Sequence, residues 1–428
     1  MKNIQIQFAI VLLTCICLLS NARSGIMGPV SGHWTKAYSP YQITDDITIN
    51  TGDTLLIDPG VSILFSSGKS LFVNGTLKAL GTSAERIMFD SAQPNQYWGI
   101  ILFQNVSKCL SELEYCTIQN ASSLRELWEW GAISFAGQKL RVTNCLIENN
   151  QNDGIWCAYE SEQPDDVTVE ITNNIIRENG DDGIFTVISG KQAFICRKNQ
   201  ILNNGNYGVN FWYGNGTFEN NVVAANSSHG ISCNTSTIQL NLVTIANNKG
   251  TGIYCEDNSK PTVTNSIIFG NLWSAIELEN STINVAYSDV QNYWDGVGNL
   301  ALPPQFVNPD ADDYHLSPAS PCIDGGNPAA DYSNEPIPNG QVVNQGAYGN
   351  TSEATTSQPN TPEILIKTPK LYFSRASGQD FTTKDLVINN IGNETLAIQS
   401  LKFTTTNFYS DLSVINIPAH DSAVVYLF

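Results

Sequence analysis

Charged side chains are scarce in this chain. Charged side chains make up only 14% of its 428 residues, well below the roughly 25% of ordinary globular domains. Long helices normally display Glu and Lys on their solvent face, so this scarcity favours a β-rich protein. The charges are also unbalanced, with 21 Lys and Arg against 40 Asp and Glu, for a net charge of −19. Because a surface this acidic repels phosphate backbones, nucleic acid is not expected as a partner.

Long hydrophobic runs are missing as well. The apolar run over residues 8–19 is too short for a bilayer, which needs about 20 helical residues. It follows Lys2 and precedes Ser20 and Ala22, the order found in a secretory signal peptide. We therefore expect residues 1–22 to be a signal peptide and the mature protein to be secreted or held at the cell surface. No later segment predicts a transmembrane span, and we expect a monomer.

What the sequence does contain is an internal repeat. Asn recurs at intervals of 29, 25, 22, 22 and 23 residues, and a Gly followed by an aliphatic residue lies four positions after it. The repeats begin at Asn150, Asn179, Asn204, Asn226, Asn248 and Asn271, and Ala275 replaces the Gly in the last one. Periods of 20 to 50 residues indicate solenoids, propellers or arrays.

The content of one repeat selects among these architectures. Each unit has two or three short β-rich runs and no helical stretch, which suits one coil of a β-solenoid and is too short for a propeller blade of roughly 40 residues. Stacked coils place equivalent residues about 4.8 Å apart. We expect the Asn, in a tight turn that favours left-handed backbone, to form a hydrogen-bonded ladder. The Gly is expected at the next bend, where φ is positive or the backbone is crowded.

Cysteine gives no metal motif. None of the ten cysteines forms a Cys-x-x-Cys pair, so a zinc knuckle is not expected. Alignment of the repeats places Cys233 with Cys255 in one inward column, and Cys116 with Cys145 in another. Buried free Cys behaves as a small hydrophobe, so we expect these columns to fill a core. A disulfide between one stacked pair is the alternative.

The repeats resemble the pectate-lyase-like right-handed parallel β-helix superfamily, particularly its uncharacterised secreted bacterial branch. Residues 32–61 are similar to the opening segment of those proteins, and residues 306–349 are similar to their closing coil and cap. The resemblance implies an all-β chain whose residues 23–350 form a right-handed parallel β-helix, with an N-terminal opening segment and a C-terminal cap. It does not identify a reaction.

The C-terminal part differs in composition. Residues 351–362 are rich in Thr, Ser and Pro and predict a linker. Residues 363–428 alternate as sandwich strands, and the turn at residues 389–393 is similar to immunoglobulin-like modules of the cilia-associated type. Since such sandwiches usually need about 100 residues, we predict a partial Ig-like β-sandwich.

The residue before each repeat Gly is the main candidate for chemistry. If the register holds, Asp153, Asp182, Tyr207 and His229 lie on consecutive coils beside one turn. Carboxylates, a phenol and an imidazole are the groups that acid–base cleavage or epimerisation of a sugar chain requires. Paired carboxylates can also hydrolyse a glycosidic bond or bind a cation. The alternative is structural, because turn positions of any solenoid are exposed and polar.

Aromatic residues lie at outward positions near this column. They are Trp156, Phe185, Trp212 and Tyr254. Aromatic faces beside polar groups suit carbohydrate rings, whose CH faces are apolar. We predict a carbohydrate-binding surface here, with coverage of a loop as the alternative role.

Asp310, Asp312 and Asp313 form a third candidate. Several hard oxygens within a few residues suit Ca²⁺, although the segment lacks the Gly and the terminal Glu of an EF-hand loop. A solvated loop of the cap is the favoured interpretation. No cofactor is expected to be required, and Ca²⁺ is the one considered.

Three functions remain open at this point. The first is a secreted or cell-surface β-helix that is glycan-binding or adhesive and structural, with an extracellular polysaccharide or cell-surface component as partner. The second is a polysaccharide lyase, epimerase or glycoside hydrolase that acts on an extracellular polysaccharide. The third is a passive scaffold for protein partners. Catalytic members of the superfamily typically use Arg or Lys beside a calcium-binding acidic cluster. The repeats supply few basic residues, so a non-enzymatic protein is favoured.

Overall fold

The structure is a computed structural model. It describes residues 25–428 with the exception of 105–109, 124–130, 137–138, 160–167, 189–192, 358–363, 367–370, 372–382, 391–393, 404–407, 411, 413 and 419–420. The predicted signal peptide, residues 1–22, lies outside the described residues, as does the last part of the predicted linker. In the part of the chain that is described, no helix has the length and apolar character needed to cross a membrane.

From Ile26 to Val290 the chain winds through three parallel ladders of strands, which we name walls A, B and C. The strands visit the walls in rotation, so each coil contributes one strand to each ladder. The nine-residue strand Tyr41–Ile49 belongs to two walls, because its first half pairs on wall A and its second half on wall B. The preceding strand Ile26–Pro29 pairs with both halves. This arrangement confirms the all-β parallel β-helix expected from the repeats.

The strands are short on every wall. Besides Tyr41–Ile49, wall A contains Ile26–Pro29, Ser62–Phe65, Ile87–Ser91, Cys116–Gln119, Leu146–Glu148, Ile175–Arg177, Gln200–Leu202, Val222–Ala224, Thr244–Ala246, Ile267–Phe269 and Asp289–Val290. Wall B contains Leu71–Val73, Ile101–Phe103, Gly131–Phe135, Asp153–Tyr159, Ile184–Ile188, Val209–Trp212, Ile231–Asn234, Ile253–Glu256 and Ile276–Leu278. Wall C contains Gly32–Trp34, Thr54–Ile57, Thr76–Leu80, Leu110–Glu114, Lys139–Thr143, Thr168–Thr172, Ala193–Arg197, Thr217–Glu219, Gln239–Asn241, Thr262–Thr264 and Asn284–Ala286.

The core consists of inward columns of aliphatic residues. On wall B the residue after the repeat Gly stacks in register from coil to coil and is buried. The column is Ile155, Ile184, Val209, Ile231, Ile253 and Ile276. Full burial of such a side chain contributes about 1.5–3 kcal/mol, so each added coil extends the same core.

Cysteine fills part of this core. Cys233 and Cys255 are paired in register on wall B, and the backbone N–H of Cys116 lies 3.4 Å from Cys145 Sγ. Within the described residues, every cysteine is buried and none forms a disulfide bond. The core-filling expectation agrees with this structure, in which the alternative disulfide is not formed among those residues. Cys109 lies outside the described residues.

The corner between walls A and B contains the predicted asparagine ladder. Asn226 Nδ2 donates to Asn248 Oδ1 at 2.9 Å, and equivalent bonds of 2.8–3.0 Å join each neighbouring pair from Asn150 to Asn271. The left-handed backbone, however, lies one residue earlier than we expected, at Asn149, Asn203 and their equivalents. The bend therefore precedes the ladder, and each ladder side chain turns inward to be buried.

The repeat glycines are required by crowding and not by positive φ. A Cβ on Gly208 would lie 2.3 Å from Val223 Cγ1, and one on Gly252 would lie 2.6 Å from the carbonyl oxygen of Ala275. In both cases the clash is with the following coil. Ala275 belongs to the last repeat, where no further repeat stacks on it, so a methyl group is tolerated there.

Residues 300–357 fold back over the outer face of wall A as a cap. Tyr314 and Ala347 pack against outward residues of wall A, which are Leu202, Val222, Ala224 and Ala246. The cap contains the antiparallel strands Phe306–Asn308 and Asp313–Leu316 around a 3-10 turn at Pro309–Ala311. A second 3-10 turn, Lys36–Tyr38, lies near the start of the helix.

Beyond the cap, the described residues form two small antiparallel sheets. One contains Ile364–Ile366, Lys384–Asn390 and Ser422–Leu427, and the other pairs Leu396–Ile398 with Ile415–Ile417. Leu386, Ile388, Leu396, Ile417 and Val425 belong to a separate small core. The division of residues 351–428 into a linker and a partial Ig-like module stays a prediction.

Candidate functional site

The predicted column lies at the start of wall B, and its members occupy consecutive coils. Asp153 Oδ1 accepts the backbone N–H of Asp182 at 2.9 Å, and Asp182 Oδ1 accepts that of Tyr207 at 3.0 Å. His229 Nδ1 likewise accepts the backbone N–H of Thr251 at 2.9 Å. Each of these three side chains therefore satisfies a backbone group of the next coil. The register predicted from the sequence holds, and the column has a structural role.

Three carboxylates converge at one end of the column. Oxygen atoms of Asp153, Asp181 and Asp182 all lie within 4.8 Å of one another. Asp153 and Asp182 are each only 4% exposed. Burial raises the pKa of Asp182 to about 7, with the charge of Asp181 as the next cause. Burial, followed by the charge of Asp182, raises the pKa of Asp153 well above its usual value.

Asn210 completes this acidic end. Its Nδ2 donates to Asp182 Oδ2 at 3.2 Å, while its buried Oδ1 has no hydrogen-bond partner among the described residues. Three carboxylates and an amide carbonyl form a hard-oxygen set of the kind that Ca²⁺ prefers. These four residues could hold Ca²⁺, which would neutralise carboxylates that are costly to bury as charges.

The other end of the column is aromatic. The rings of Tyr207 and His229 stack with centroids 5.3 Å apart, and those of His229 and Tyr254 stack at 5.0 Å. Trp273 lies edge-on to His229 at 5.4 Å and is 67% exposed. Burial lowers the pKa of His229 and raises that of Tyr207, so both side chains are neutral at pH 7. Because His229 Nδ1 accepts a hydrogen bond, its proton is assigned to Nε2.

Three of the four predicted carbohydrate-binding residues form a continuous strip. Trp156 stacks on Phe185 with centroids 6.1 Å apart, and Phe185 contacts Trp212 at 5.9 Å. Trp212 is 43% exposed. Tyr254 lies outside this strip, because it stacks on His229 and its hydroxyl donates to Glu279 Oε2 at 2.7 Å. We refer to Trp156, Phe185 and Trp212 as the aromatic strip.

The structure does not bring Asp310, Asp312 and Asp313 together. Asp312 accepts a hydrogen bond from Asn203 Nδ2 at 3.3 Å, and Asp313 Oδ1 lies 2.7 Å from His315 Nδ1. The 3-10 turn and the strand that follows it point these carboxylates to different neighbours. Among the residues that the structure describes, the one compact group of possible metal ligands is Asp153, Asp181 and Asp182.

Arginine side chains near the column are paired on other walls. Arg177 on wall A bonds to Glu148 at 2.7 Å, and Arg197 on wall C lies 3.4 Å from Glu219. The wall B strands from Asp153–Tyr159 to Ile276–Leu278 contain no Lys or Arg. These strands therefore offer no cation to the column.

Sequence reasoning missed three residues of the site. Asp181 directly precedes Asp182, so its position close to the other carboxylates could have been predicted. The alignment of the repeats singled out only the residue before each Gly, which excluded Asp181. Trp273 occupies the turn of the last repeat, again one position from the column. Asn210 lies in the outward register of Phe185 and Ser232, and that register was read for aromatic residues only.

A match to a protein-family model supports the fold. A family model described as "Right handed beta helix region" matches residues 89–223 and 131–292. A double mutant of the periplasmic alginate epimerase AlgG is 13% identical, with a TM-score of 0.36, over 64% of this chain and 85% of that chain. The A-module of mannuronan C-5 epimerase AlgE4 from Azotobacter vinelandii is 13% identical, with a TM-score of 0.37, over 63% of this chain and 79% of that chain.

Two further matches differ in extent. The Dettilon tailspike protein is 13% identical, with a TM-score of 0.34, over 94% of this chain and 83% of that chain. Protein bark beetle of Drosophila melanogaster is 45% identical over 56 residues, which is 13% of this chain and 2% of that protein. The chain thus spans a very small part of the curated relative that it matches.

Proposed function

Since this chain is a right-handed parallel β-helix, we propose that it is a secreted or cell-surface protein that binds an extracellular polysaccharide along wall B. One observation carries the proposal, which is the position of the aromatic strip next to the buried carboxylates: Asn210, which donates to Asp182 Oδ2, pairs in register with Phe185. Apolar ring faces next to fixed polar groups are what a sugar chain requires for stacking and for hydrogen bonding of its hydroxyls.

The direction of the strip indicates how the ligand lies. Trp156 and Phe185 are paired on successive coils, and Trp212 follows on the next one. Trp212 pairs with Val187, two residues beyond Phe185. The strip therefore advances one coil of about 4.8 Å at each step and also moves sideways across the wall, with ring centroids 6.1 and 5.9 Å apart. A polysaccharide that lies parallel to this axis contacts one coil after another, with Trp273 and Tyr254 as further aromatic contacts at the distal end.

Charge on the wall favours a neutral polysaccharide. The outward residues Glu256 and Glu277 and the acidic end around Asp182 would repel a polyanion. A uronate chain would require Ca²⁺ between its carboxylates and those of Asp153, Asp181 and Asp182. Binding of neutral chains should therefore be unaffected by a chelator, and binding of acidic chains should need Ca²⁺.

Affinity electrophoresis and titration calorimetry of the mature protein test the proposal. Neutral and uronate polysaccharides are compared in Ca²⁺ and in EDTA. Trp212→Ala should weaken binding about two- to tenfold, since an aromatic contact contributes roughly 0.5–1.5 kcal/mol. Tyr38→Ala is the matched control, because Tyr38 is exposed but lies near the start of the helix. Equal affinities for the two variants would refute a site on wall B, and no binding at all would favour the protein-scaffold hypothesis.

A second candidate function, that of a polysaccharide lyase, epimerase or hydrolase, is supported by the pKa of Asp182. A carboxyl group that titrates at about 7 suits general acid–base catalysis near neutral pH. Tyr207 lies on the next coil as a possible proton donor. His229 is not a base in this geometry, because its Nδ1 already accepts the N–H of Thr251.

The enzymatic candidate requires its own experiment. Polysaccharides are incubated with the protein, and three products are measured: new reducing ends, the absorbance of unsaturated uronate, and inverted uronate residues by proton NMR. Asp182→Asn keeps the acceptor for Tyr207 N–H and removes the titrating group, so it should abolish product while binding persists. Asp295→Asn is the control, because Asp295 is outside the column. If the wild-type protein binds a polysaccharide but yields no product, the enzymatic candidate is refuted and only the binding function remains.

A further inference from the structure

A second groove lies at the corner where wall C passes into wall A, away from wall B. Its volume is about 490 Å³, within the roughly 300–1,000 Å³ of ligand pockets. One side consists of corner residues from successive coils, and the other consists of cap residues 347–353. Its polar lining includes Thr143, Asn144, Thr172, Asn173, Lys198 and Gln200.

Both sides of the groove are fixed by the fold. Asn220 Nδ2 donates to the carbonyl oxygens of Ala347 and Gly349 at 2.9 and 2.8 Å, which ties the cap to the corner. On the cap, the ring of Tyr348 stacks on His315 with centroids 3.6 Å apart. A ligand therefore meets a formed groove and does not have to order its walls, which lowers the cost of binding.

The lining is polar and carries no net charge. Lys198 and Glu353 are its charged residues, and they have opposite signs. Asn144 and Asn173 lie at equivalent positions of successive coils, and Asn173 Nδ2 donates to Asn144 Oδ1. That bond leaves donor capacity on Asn144 and acceptor capacity on Asn173. Such a lining matches hydroxyl groups, each of which both donates and accepts.

Two hydroxyl groups on the floor of the groove lack partners. Thr143 and Thr172 are paired in register at the end of wall C, and within the described residues their buried Oγ1 atoms make no hydrogen bond. Thr264, at the same end of wall C in a later coil, instead donates to Asn241 Oδ1 at 3.0 Å. A rotation about χ1 exchanges methyl and hydroxyl, so a ligand with hydroxyl groups can supply the missing partners.

We propose that this groove binds a short neutral oligosaccharide, at a site separate from the one on wall B. The corner residues recur about every 4.8 Å, a spacing similar to the length of one sugar ring in an extended chain. Successive sugar units thus meet Asn144, Asn173 and Lys198 on three successive coils, with Gln200 next to Lys198. The proposal stands on the groove alone and does not depend on the function of wall B.

Calorimetric titration of the mature protein with cellotetraose, laminaritetraose and tetragalacturonate tests it. Saturable binding of a neutral tetrasaccharide is expected, and Asn173→Gly should weaken it at least tenfold. Asn173 has φ of +59°, and Gly keeps this conformation without strain. Asn280→Gly is the matched control, because Asn280 is an exposed residue with φ of +48° at the corner between walls B and C. Equal affinities in the two variants, or binding of tetragalacturonate alone, would overturn the proposal.

Thr172→Val is a second variant with an independent readout. It keeps the shape of the side chain and removes a hydroxyl that has no partner in the free protein. Oligosaccharide affinity should fall while the melting temperature stays equal or rises. Trp212→Ala separates the two proposals, because it should weaken polysaccharide binding on wall B and leave tetrasaccharide binding unchanged. Loss of tetrasaccharide binding in Trp212→Ala would assign that binding to wall B and refute a site in the groove.

Discussion

The asparagine ladder allows a sharp test of what holds the coils together. Asn226 makes four hydrogen bonds through its side chain. Its Nδ2 donates to Asn248 Oδ1 at 2.9 Å and to the carbonyl oxygen of Ile201 at 3.2 Å. Its Oδ1 accepts from the backbone N–H and from the Nδ2 of Asn204, each at 3.0 Å. Asn226→Ala removes all four at a fully buried position.

The magnitude follows from the groups left behind. Asn204 Nδ2 still has the carbonyl oxygen of Ile176, and Asn248 Oδ1 still has the backbone N–H of Asn226. The carbonyl oxygen of Ile201 belongs to the wall A ladder, but the backbone N–H of Asn204 loses its acceptor in a buried place. An orphaned buried group costs about 1–3 kcal/mol and an ordinary hydrogen bond contributes about 1 kcal/mol. We expect a loss of about 3–5 kcal/mol.

Asn152→Ala provides the matched control. Asn152 is a similarly buried Asn in the same turn region, 8% exposed, but its Nδ2 has no hydrogen-bond partner among the described residues. Its replacement should change stability by less than about 1 kcal/mol. Urea unfolding followed by circular dichroism measures both variants. Equal shifts of the unfolding midpoint would refute the assignment of the ladder as the main polar contribution at this corner.

Two further predictions concern stability. Asp289 is fully buried, and burial raises its pKa from 3.8 to about 7, so its contribution is complete below pH 3.8 and lost as pH rises to about 7. Asp289→Asn should remove this loss, which is on the order of 4 kcal/mol over the whole pH window. Urea midpoints at pH 5 and pH 8 that differ equally in both proteins would contradict it. Gly208→Ala should cost about 1–3 kcal/mol, because its Cβ would lie 2.3 Å from Val223 Cγ1, whereas Ala275→Gly should be nearly neutral. The urea midpoint of Gly208→Ala should therefore fall below that of the wild type, and the midpoint of Ala275→Gly should stay near it. An unchanged midpoint for Gly208→Ala would refute the crowding argument.

The sequence repeat predicted the fold because every coil of a solenoid needs the same kinds of residue at the same positions. Inward aliphatic residues, a buried Asn and a crowded Gly each recur with the coil, so the period alone located them. A second asparagine ladder, at the corner between walls C and A, was not predicted. There Asn174 Nδ2 donates to Asn199 Oδ1, and Asn199 Nδ2 to Asn221 Oδ1, at 2.9 Å each. Its spacing matches that of the first ladder, so the signal was present at the starts of the wall A strands.

The cap over wall A and the groove beside it could not be predicted from the spacing of the sequence repeats. They depend on contacts such as Asn203 with Asp312, which are 109 residues apart, and a repeat has no information on what covers its outer face. A hint was present in Leu202, Ala224 and Ala246, since outward positions on a solvated wall are usually polar. Their burial under Tyr314 explains that departure.

The acidic end of the column is the part that folding alone does not explain. Asp153 and Asp182 each accept one backbone N–H from the next coil, and an amide would do this equally well. The fold uses amides for this purpose a few residues away, where Asn179 Oδ1 accepts the backbone N–H of Asn150. Asn at the two positions would avoid burying ionisable groups, whose charged forms are costly to desolvate. Residues that break the local rule at a cost in stability concentrate at functional sites. Substitution by Asn, which preserves the backbone contact, is therefore the change that separates function from folding at Asp153 and Asp182.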